Sequence, residues 1–329
     1  MKNSSRGKAI SKSPWRRLLK KADAIHSKSV AVLMGGVGAE REVSLMSGKA
    51  VYNALCEELD NVRLIEIGRE EPAGLKRLLG GADTVFIALH GTYGEDGTLQ
   101  GYLDELGIDY TGSGAEASRR AMQKDVSREI FLANDIPVAD GAFLPLDKGA
   151  MLKTAGRLGL PVVVKPADSG SSVGVTIVRK EADLEAAYEK AAHETQRGLV
   201  VESLVDGREV TVGILEAKAL PIIELRPARE FYDYTAKYQD SGTRYILPAE
   251  FDKKTAKAIE KAALDAFRVL GCRGFGRVDI IVGKDGPVVL EVNTIPGFTS
   301  HSLVPMAARH VGLDMAALSL LILALAAKG

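Results

Sequence analysis

FGRVDIIVGKDGPVVLEVNTIPGFTSHS, residues 275–302, predicts a β-hairpin from which the rest of the fold can be worked out. Two apolar runs flank residues 284–286, Lys-Asp-Gly, which is typical of a three-residue hairpin loop with Gly286 in the left-handed conformation. This loop would pair Gly283 with Pro287 and so set the register of the two strands. Because side chains alternate between the faces of a strand, the register also decides which residues share a face.

The hairpin is predicted to have one polar and one apolar face. Counting from the loop places Asp279 opposite Glu291. It also places Arg277 opposite Asn293 on the same polar face. The apolar face would hold Val278, Ile280, Val282, Val288, Leu290 and Val292. Two carboxylates across a strand pair repel each other, so we expect a cation between them, and this oxygen-rich set suits a hard ion such as Mg²⁺. The alternative is a surface hairpin with scattered charges, which the unbroken apolar face disfavours.

Length and composition indicate a globular protein of two or three domains. The chain has 329 residues, too many for one ordinary core, and its 46% hydrophobic and 26% charged residues are usual for soluble proteins. Two cysteines, Cys56 and Cys272, are too few for a disulfide framework and predict a reducing, cytoplasmic location. No apolar run reaches the roughly 18 residues of a membrane span. The longest, residues 315–327, predicts a buried C-terminal helix, so no membrane insertion is expected.

Charge is distributed unevenly, although the formal net charge is zero. Residues 1–28 hold nine Lys or Arg and one acidic residue, a charge of +8, and the remaining 34 basic and 42 acidic residues give −8. The basic segment lacks the apolar core of a signal peptide. It predicts a disordered tail, with a targeting segment or a nucleic-acid-binding arm as alternatives. We expect no nucleic-acid partner.

Residues 29–113 predict an open parallel α/β sheet. A strand at residues 29–34 runs into the Gly-rich sequence GGVGAERE, residues 35–42, and then a helix, which presents backbone amides and a helix N-terminus to an anion. A later strand, residues 84–89, ends in a second Gly-rich loop that begins with His90. Loops after parallel strands converge on one crevice, so His90 is a candidate ligand, with a hydrogen-bonded structural histidine as the alternative.

Two further loops indicate a nucleotide site in the predicted domains 114–202 and 203–329. PADSGSSVG, residues 166–174, follows Lys165 at a strand end, and small flexible residues beside a lysine are typical of loops that fold over phosphates. It lacks the Walker order, and a merely flexible hairpin tip is the alternative. Residues 226–247 form a long irregular stretch whose length favours a functional lid over an aromatic plug for a core gap.

Taken in order, the motifs resemble those of the D-alanine–D-alanine ligase family of the ATP-grasp superfamily, from about residue 29 to the C-terminus. They are Gly35–Ser44, His90-Gly91, Lys165-Pro166, Gly170–Gly174, Phe231–Tyr238, Gly276–Asp279 and Glu291–Ser302. The resemblance implies an α/β protein of three domains, α+β in the ATP-grasp part. It also implies ATP-dependent joining of two D-alanines through an acyl phosphate for peptidoglycan precursor synthesis. ATP would be the co-substrate, two Mg²⁺ ions the metals, with Mn²⁺ as a substitute, and the assembly a homodimer.

The resemblance also implies a role for each matching residue. The implied ATP-binding residues are Lys124, Lys165, Ser171, Ser172, Glu202, Val205, Glu209, Lys237 and Asn293, and the implied metal ligands are Asp279, Glu291 and Asn293. Glu40 would hold the ammonium of the first D-alanine and His90 would lie near its carboxylate. The implied catalytic residues are Glu40, Ser171, Tyr238, Arg277 and Gly297, of which the last two would stabilise the oxyanion. Ser302 would bind the carboxylate of the second D-alanine.

Three other functions are weighed against this one. A depsipeptide ligase that joins D-alanine to D-lactate commonly replaces the lid tyrosine, so Tyr238 beside Lys237 favours an amine acceptor. Another ATP-grasp carboxylate–amine ligase would lack the Glu40, Ser171 and Tyr238 combination. A nucleotide-binding regulatory protein without turnover would not need Arg277. The departures from the family pattern, Val37-Gly38, Gln123 and Thr235, remove no proposed catalytic group.

Overall fold

The computed structural model describes residues 15, 21–38, 40–170, 172–227 and 242–326. Its first sheet contains four parallel strands in the order β2-β1-β3-β4. The strands are β1 (Val30–Gly35), β2 (Val62–Ile67), β3 (Thr84–Ile87) and β4 (Asp109–Tyr110), joined by helices α1 (Arg41–Cys56), α2 (Pro72–Leu79) and α3 (Thr98–Leu106). Every residue of β1 is buried, as expected for a parallel strand covered on both faces. The predicted parallel α/β sheet is confirmed.

The second sheet is antiparallel, in the order β5-β8-β6-β7. Two helices precede it in the chain, α4 (Ala115–Met122) and α5 (Lys124–Ala133). The chain then forms β5 (Gly141–Leu144), α6 (Lys148–Leu158), β6 (Val162–Pro166), β7 (Thr176–Val178), α7 (Leu184–His193) and β8 (Leu199–Ser203). Helices α4 and α5 are separate because Gln123 between them is extended, with φ −84° and ψ 100°. This break directs the side chain of the next residue, Lys124, towards the sheet's loops.

The third sheet is also antiparallel, in the order β12-β11-β9-β13-β14, with β10 paired to β9. Its elements are β9 (Gly207–Leu215), β10 (Lys218–Ala219), β11 (Ile223–Arg226), β12 (Arg244–Ile246), α8 (Lys253–Val269), β13 (Phe275–Gly283), β14 (Gly286–Asn293), α9 (Leu303–His310) and α10 (Met315–Ala324). The predicted buried C-terminal helix is α10. In the part of the chain that the structure describes, no single helix is long and apolar enough to cross a membrane, and α9 and α10, which meet those criteria only together, are bent by 103°.

The predicted register of the hairpin is confirmed at its polar end and is wrong near its loop. Asp279 pairs with Glu291 as expected, but Gly283 pairs with Gly286, so the loop has two residues instead of three. A β-bulge on β14 compensates for the difference, because it inserts one extra residue and reverses the alternation of faces. Val289, 3% exposed, therefore joins the core. Leu290 lines a cavity instead of the predicted apolar face.

The first and third sheets are joined by one apolar cluster. The rings of Phe86 on β3, Phe275 on β13 and Phe298 are in mutual contact, with centroids 5.6 to 6.3 Å apart. Buried side chains of α10 belong to the same cluster. This packing holds the carboxyl ends of the parallel strands against the polar hairpin, and so positions the two halves of the site described below.

Part of the predicted disordered tail is folded. Trp15 is 3% exposed and lies in the apolar cluster that also holds residues of β1, α1 and α10. Ala22 and Ile25 are buried beside it, and residues Asp23–Ser27 form a 3-10 helix. Burial of an indole ring offsets the conformational entropy of ordering this part of the segment. The rest of the tail lies outside the described residues.

Candidate active site

Two cavities meet at the polar face of the hairpin. The first, of about 720 Å³, lies between α1, β14 and the segment that leads into α9. The second, of about 570 Å³, lies between the second and third sheets. Lys124 and Glu291 line both, and their Nζ and Oε2 atoms are 3.8 Å apart. A molecule in one cavity can therefore meet a molecule in the other beside this ion pair.

The cation expected between the facing carboxylates is supplied by side chains in this structure. The Arg277 guanidinium donates to both carboxylate oxygens of Asp279, at 2.9 and 2.7 Å. Thr211 donates its hydroxyl to the same carboxylate at 2.6 Å. Lys124 lies near the second carboxylate, Glu291. Arg277 and Asp279 share the polar face because they are two residues apart on one strand.

The donor set of the hairpin fits magnesium bound together with phosphate. Among the described residues, no three His, Cys, Asp or Glu side chains are close enough to enclose a metal by themselves. The predicted set contains only two carboxylates, Asp279 and Glu291, and the amide of Asn293, whose Oδ1 already accepts from the backbone N–H of Ile295 at 3.1 Å. Mg²⁺ commonly takes one or two carboxylates and completes its shell with substrate phosphates and water. The set is therefore suited to a shared protein–nucleotide metal site.

Glu40 lines the first cavity and lies against the second Gly-rich loop. A Cβ atom added to Gly91 would lie 2.5 Å from its Oε2, and one added to Gly170 would lie 3.8 Å away. The carboxylate thus occupies space that only glycine leaves open. Glu40 ends the loop after β1, and Gly91 follows β3, so the parallel neighbours bring the two together. The predicted convergence of these loops is confirmed.

His90 is held on both ring nitrogens. Its Nδ1 is 3.0 Å from the carbonyl of Ile295, and its Nε2 is 3.0 Å from Ser47 Oγ. Ser47 also accepts the backbone N–H of Phe298, so its hydroxyl proton is free to go to His90. The Ile295 carbonyl can only accept, so Nδ1 is the donor in that hydrogen bond. His90 is only 7% exposed, yet it lines the first cavity, so the structural and ligand interpretations are compatible.

Glu95 is a residue of this site that the sequence does not single out. Its side chain is 13% exposed and its Oε1 is 3.5 Å from Nδ1 of His90. Burial, reinforced by the negative charge of Glu40, raises the pKa of Glu95 to about 7 despite the opposing hydrogen bond with His90. The sequence feature that could have identified Glu95 is its position in the loop after β3, which also carries His90. Near neutral pH this carboxyl group can lose or gain a proton beside Glu40.

Replacing Glu95 with glutamine is expected to flatten the pH dependence of stability. The folded protein keeps a proton on Glu95 between pH 4.5 and about 7, where the unfolded chain has lost it, so this group lowers stability as pH rises through that window. The variant should gain about 2–3 kcal/mol of unfolding free energy at pH 8 and almost nothing at pH 4.5. Denaturant unfolding at several pH values measures this, and parallel curves for the two proteins would contradict it.

The second cavity contains a buried ion pair. Lys165 Nζ is 2.6 Å from Glu202 Oε1, and each side chain is about one tenth exposed. Strands β6 and β8 are paired, which brings the two residues together. Ser172, Val205 and Glu209, three of the residues predicted to bind ATP, line the same cavity. On the opposite wall of the second cavity, Lys124 donates from Nζ to the carbonyl of Ser169 at 2.5 Å. This bond attaches Lys124 to the loop of residues 166–174.

A second charged cluster at this cavity was not predicted. Glu224, 2% exposed, accepts hydrogen bonds from Arg208 at 2.5 and 3.0 Å and from Arg226 at 2.7 and 3.2 Å. These bonds hold the pKa of Glu224 below its usual range. The register pairs Glu224 with Val210, so Arg208, two residues from Val210, and Arg226, two residues from Glu224, lie on the same face as Glu224. The alternation of opposite charges on two apolar strands is the signal that could have found it.

The remaining predicted residues divide into two groups. Ser302 lies at the start of α9, where its Oγ accepts the backbone N–H of Thr299 at 2.9 Å, and a Cβ added to Gly297 would lie 3.0 Å from that oxygen. Both line the first cavity. Ser171, Lys237 and Tyr238, with most of the predicted lid 226–247, lie outside the described residues. At the ends of that stretch, Arg226 belongs to β11 and residues Arg244–Ile246 form β12.

One parallel sheet, joined to two antiparallel sheets that enclose a cleft, defines an ATP-grasp enzyme. Solved structures of such enzymes share this fold. The ATP complex of D-alanine–D-alanine ligase from Bacillus anthracis matches with a TM-score of 0.76 and 35% identity, over 91% of this chain and 96% of that one. The VanG D-Ala:D-Ser ligase from Enterococcus faecalis matches with a TM-score of 0.76 and 30% identity, over 89% and 97%.

The family follows from sequence comparison. Residues 69–113 match the model of the D-ala D-ala ligase N-terminus and residues 131–324 that of the C-terminus. The D-alanine–D-alanine ligase of Bordetella avium is 46% identical over 301 residues, 90% of this chain and 93% of the relative. That of Anaeromyxobacter is 48% identical over 288 residues, 87% and 92%. The chain belongs to the D-alanine–D-alanine ligase family.

Proposed function

We propose that this protein joins two D-alanine molecules into D-alanyl-D-alanine, with conversion of ATP to ADP and phosphate, for peptidoglycan precursor synthesis. One observation carries the proposal: the two cavities share the wall formed by Lys124 and Glu291. A nucleotide in the second cavity would present its terminal phosphate to an amino acid in the first. Two cavities that meet in this way suit transfer of a phosphoryl group to a carboxylate.

The first step forms a reactive acyl group. A carboxylate is a poor electrophile, so one carboxylate oxygen of the first D-alanine attacks the γ-phosphorus, the bond to the β-phosphate oxygen breaks, and D-alanyl phosphate and ADP form. Glu40 would bind the ammonium of this D-alanine. His90, supported by Glu95, would lie beside it. Positioning of this kind accounts for a large part of the acceleration of such reactions.

The second step forms the peptide bond. The uncharged amine of the second D-alanine attacks the acyl carbon, the bond to the phosphate oxygen breaks, and the amine proton is lost. The carbonyl oxygen carries negative charge in the tetrahedral intermediate. Arg277 and the backbone N–H of Gly297, both on the wall of the first cavity, would donate to that oxygen. Ser302 would bind the carboxylate of the second D-alanine.

We assign the second cavity to the nucleotide. Glu202, paired with Lys165, would bind adenine beside Val205, Glu209 would bind the ribose, and Lys165 would contact the phosphates. The phosphates would be contacted by Lys124 and Ser172. Ser171 and Lys237, which lie outside the described residues, would also contact them. Two Mg²⁺ ions, or Mn²⁺ in their place, would neutralise charge on the phosphates, held by Asp279, Glu291 and Asn293. Tyr238 and Ser171 would complete a hydrogen-bond network with Glu40.

Three further parts of the proposal concern organisation. We propose three domains, residues 29–113, 114–202 and 203–329, because each range contains one of the three sheets. We propose a homodimer, which the family resemblance implies and gel filtration with light scattering would test. We propose a cytoplasmic location, which is consistent with two unpaired cysteines. Cell fractionation with a tagged chain tests the last point.

The assay for this function is ADP release with Mg²⁺, ATP and D-alanine as the only amino acid, with product analysis for the dipeptide. We expect ADP and D-alanyl-D-alanine in equal amounts. No D-alanine-dependent ADP release would overturn the proposal. Release that also requires D-lactate would show a depsipeptide ligase instead. Binding of ATP without any release of ADP would show a regulatory protein.

Replacing Gly91 with alanine is expected to raise the KM for D-alanine about tenfold. The new Cβ would displace the Glu40 carboxylate, because only 2.5 Å separate them. Gly81→Ala is the matched control: its φ of 79° is close to the 73° of Gly91, but no atom lies within 4 Å of the added Cβ. Both variants should lose about 1 kcal/mol of stability from backbone strain. Equal effects on KM in steady-state kinetics would count against the placement of Glu40.

A further inference from the structure

One cationic side chain of the first cavity has no role so far. Arg309, on the last turn of α9, lines this cavity together with Ser302, Gly297 and Ser300. Its Nη2 is 3.5 Å from the carbonyl oxygen of Ser300. Side chains of a helix tilt towards its N-terminus, and residues seven apart share a face. Arg309 therefore reaches back along α9 towards Ser302, seven residues earlier, at the helix start.

The charges of the cavity wall distinguish Arg309 from the other strong cations. Arg277 is bound by Asp279 and Lys124 lies beside Glu291. Arg309 makes no ion pair with any carboxylate in the part of the chain that the structure describes. Its guanidinium is thus available to an anion from solution. The N-terminus of α9 adds a favourable potential for negative charge at the same corner of the cavity.

The acceptor amino acid has a net negative charge when it reacts. Its amine must be unprotonated to attack the acyl phosphate, so its carboxylate is then its only formal charge. A hydroxyl group such as that of Ser302 can donate one hydrogen bond but cannot balance this charge. An arginine can do both, and its planar fork matches the two oxygens of a carboxylate.

We propose that Arg309 binds the carboxylate of the acceptor amino acid, jointly with Ser302, and so selects acceptors that carry an α-carboxylate. This inference rests on the proposed function, since it names a binding group for the second amino acid. It assigns Arg309 to the acceptor alone. The first D-alanine, which Glu40 holds, and the ATP in the second cavity make no contact with Arg309.

The test compares two acceptors in Arg309→Gln. D-Alanine carries a carboxylate, whereas hydroxylamine does not, and its nitrogen attacks the same acyl phosphate to give D-alanyl hydroxamate and phosphate. We expect the D-alanine concentration for half-maximal dipeptide formation to rise about tenfold, as for loss of one charge-assisted hydrogen bond. Hydroxamate formation, at saturating hydroxylamine, and the KM for ATP should remain within twofold of the unaltered protein.

Two further variants complete the design. Arg309→Lys, which keeps the charge but not the fork, should recover part of the acceptor affinity. His310→Gln, the exposed neighbour on the same turn that does not line the cavity, should change neither reaction. Unchanged dipeptide kinetics in Arg309→Gln, or equal loss of dipeptide and hydroxamate, would overturn the inference. Absence of dipeptide in the unaltered protein would instead overturn the proposed function, so the two failures are distinct.

Discussion

Arg277→Ala is expected to lower kcat for dipeptide formation by about 10²–10³-fold, the cost of removing one oxyanion donor. The Arg277 side chain is 12% exposed, so its charge acts in a partly desolvated site. The contact is made with charge that develops only in the transition state, so KM for D-alanine should change far less than kcat. Steady-state kinetics with coupled ADP detection measures both constants.

Two comparisons separate catalysis from folding in this variant. Arg277→Lys keeps a positive charge beside Asp279 but not the double hydrogen bond, and it should give an intermediate kcat. Arg268→Ala removes an arginine that is 73% exposed on α8 and should leave kcat unchanged. A fall of equal size in kcat for Arg268→Ala, or none for Arg277→Ala with intact folding, would refute the oxyanion role.

Glu291→Gln is expected to reduce kcat/KM for ATP at limiting Mg²⁺ by about 10²–10³-fold, since a metal that neutralises a transferring phosphoryl group contributes several kcal/mol. Glutamine has nearly the same shape but no negative charge to hold the metal. It also removes the partner of Lys124, 3.8 Å away. Part of the loss should be recovered at high Mg²⁺, because the ligand change weakens metal binding and leaves the other donors in place.

The measurement is a Mg²⁺ titration of ADP release. Glu185→Gln is the control, because Glu185 also pairs with a lysine, Lys148 at 2.5 Å, but is 70% exposed and lines neither cavity. Its Mg²⁺ dependence should match that of the unaltered protein. If Glu291→Gln required no more Mg²⁺ than this control, the assignment of Glu291 as a metal ligand would be wrong.

Local patterns account for much of the candidate site. Arg277 and Asp279 share a face of β13, and Glu291 and Asn293 share a face of β14, because side chains alternate along each strand. The Gly-rich loops after β1 and β3 converge because parallel neighbours end at the same edge of a sheet. Each inference uses residues close in sequence, or a rule that holds for any parallel sheet.

Other features depend on contacts between distant segments. Glu95 has an unusual pKa because the folded loop buries it beside Glu40, and no local pattern states how deeply a loop residue is buried. The Glu224 cluster requires β9 and β11 to pair in one register. Trp15 is buried by elements that lie at both ends of the chain, which is why composition alone predicted a disordered tail.

The hairpin shows the same division on a small scale. The sequence by itself placed polar residues at alternate positions at one end of the hairpin, from Arg277 to Ile280 and from Leu290 to Asn293, so that Asp279 and Glu291 could face each other. Only the tertiary structure decided that β14 contains a bulge, which moves Leu290 into the cleft and Val289 into the core. The bulge adds one residue to β14 and the loop is one residue shorter. The pairing of Asp279 with Glu291 is therefore the same in both arrangements, and the sequence does not distinguish them. Packing against α8 and the rest of the third sheet selects between them.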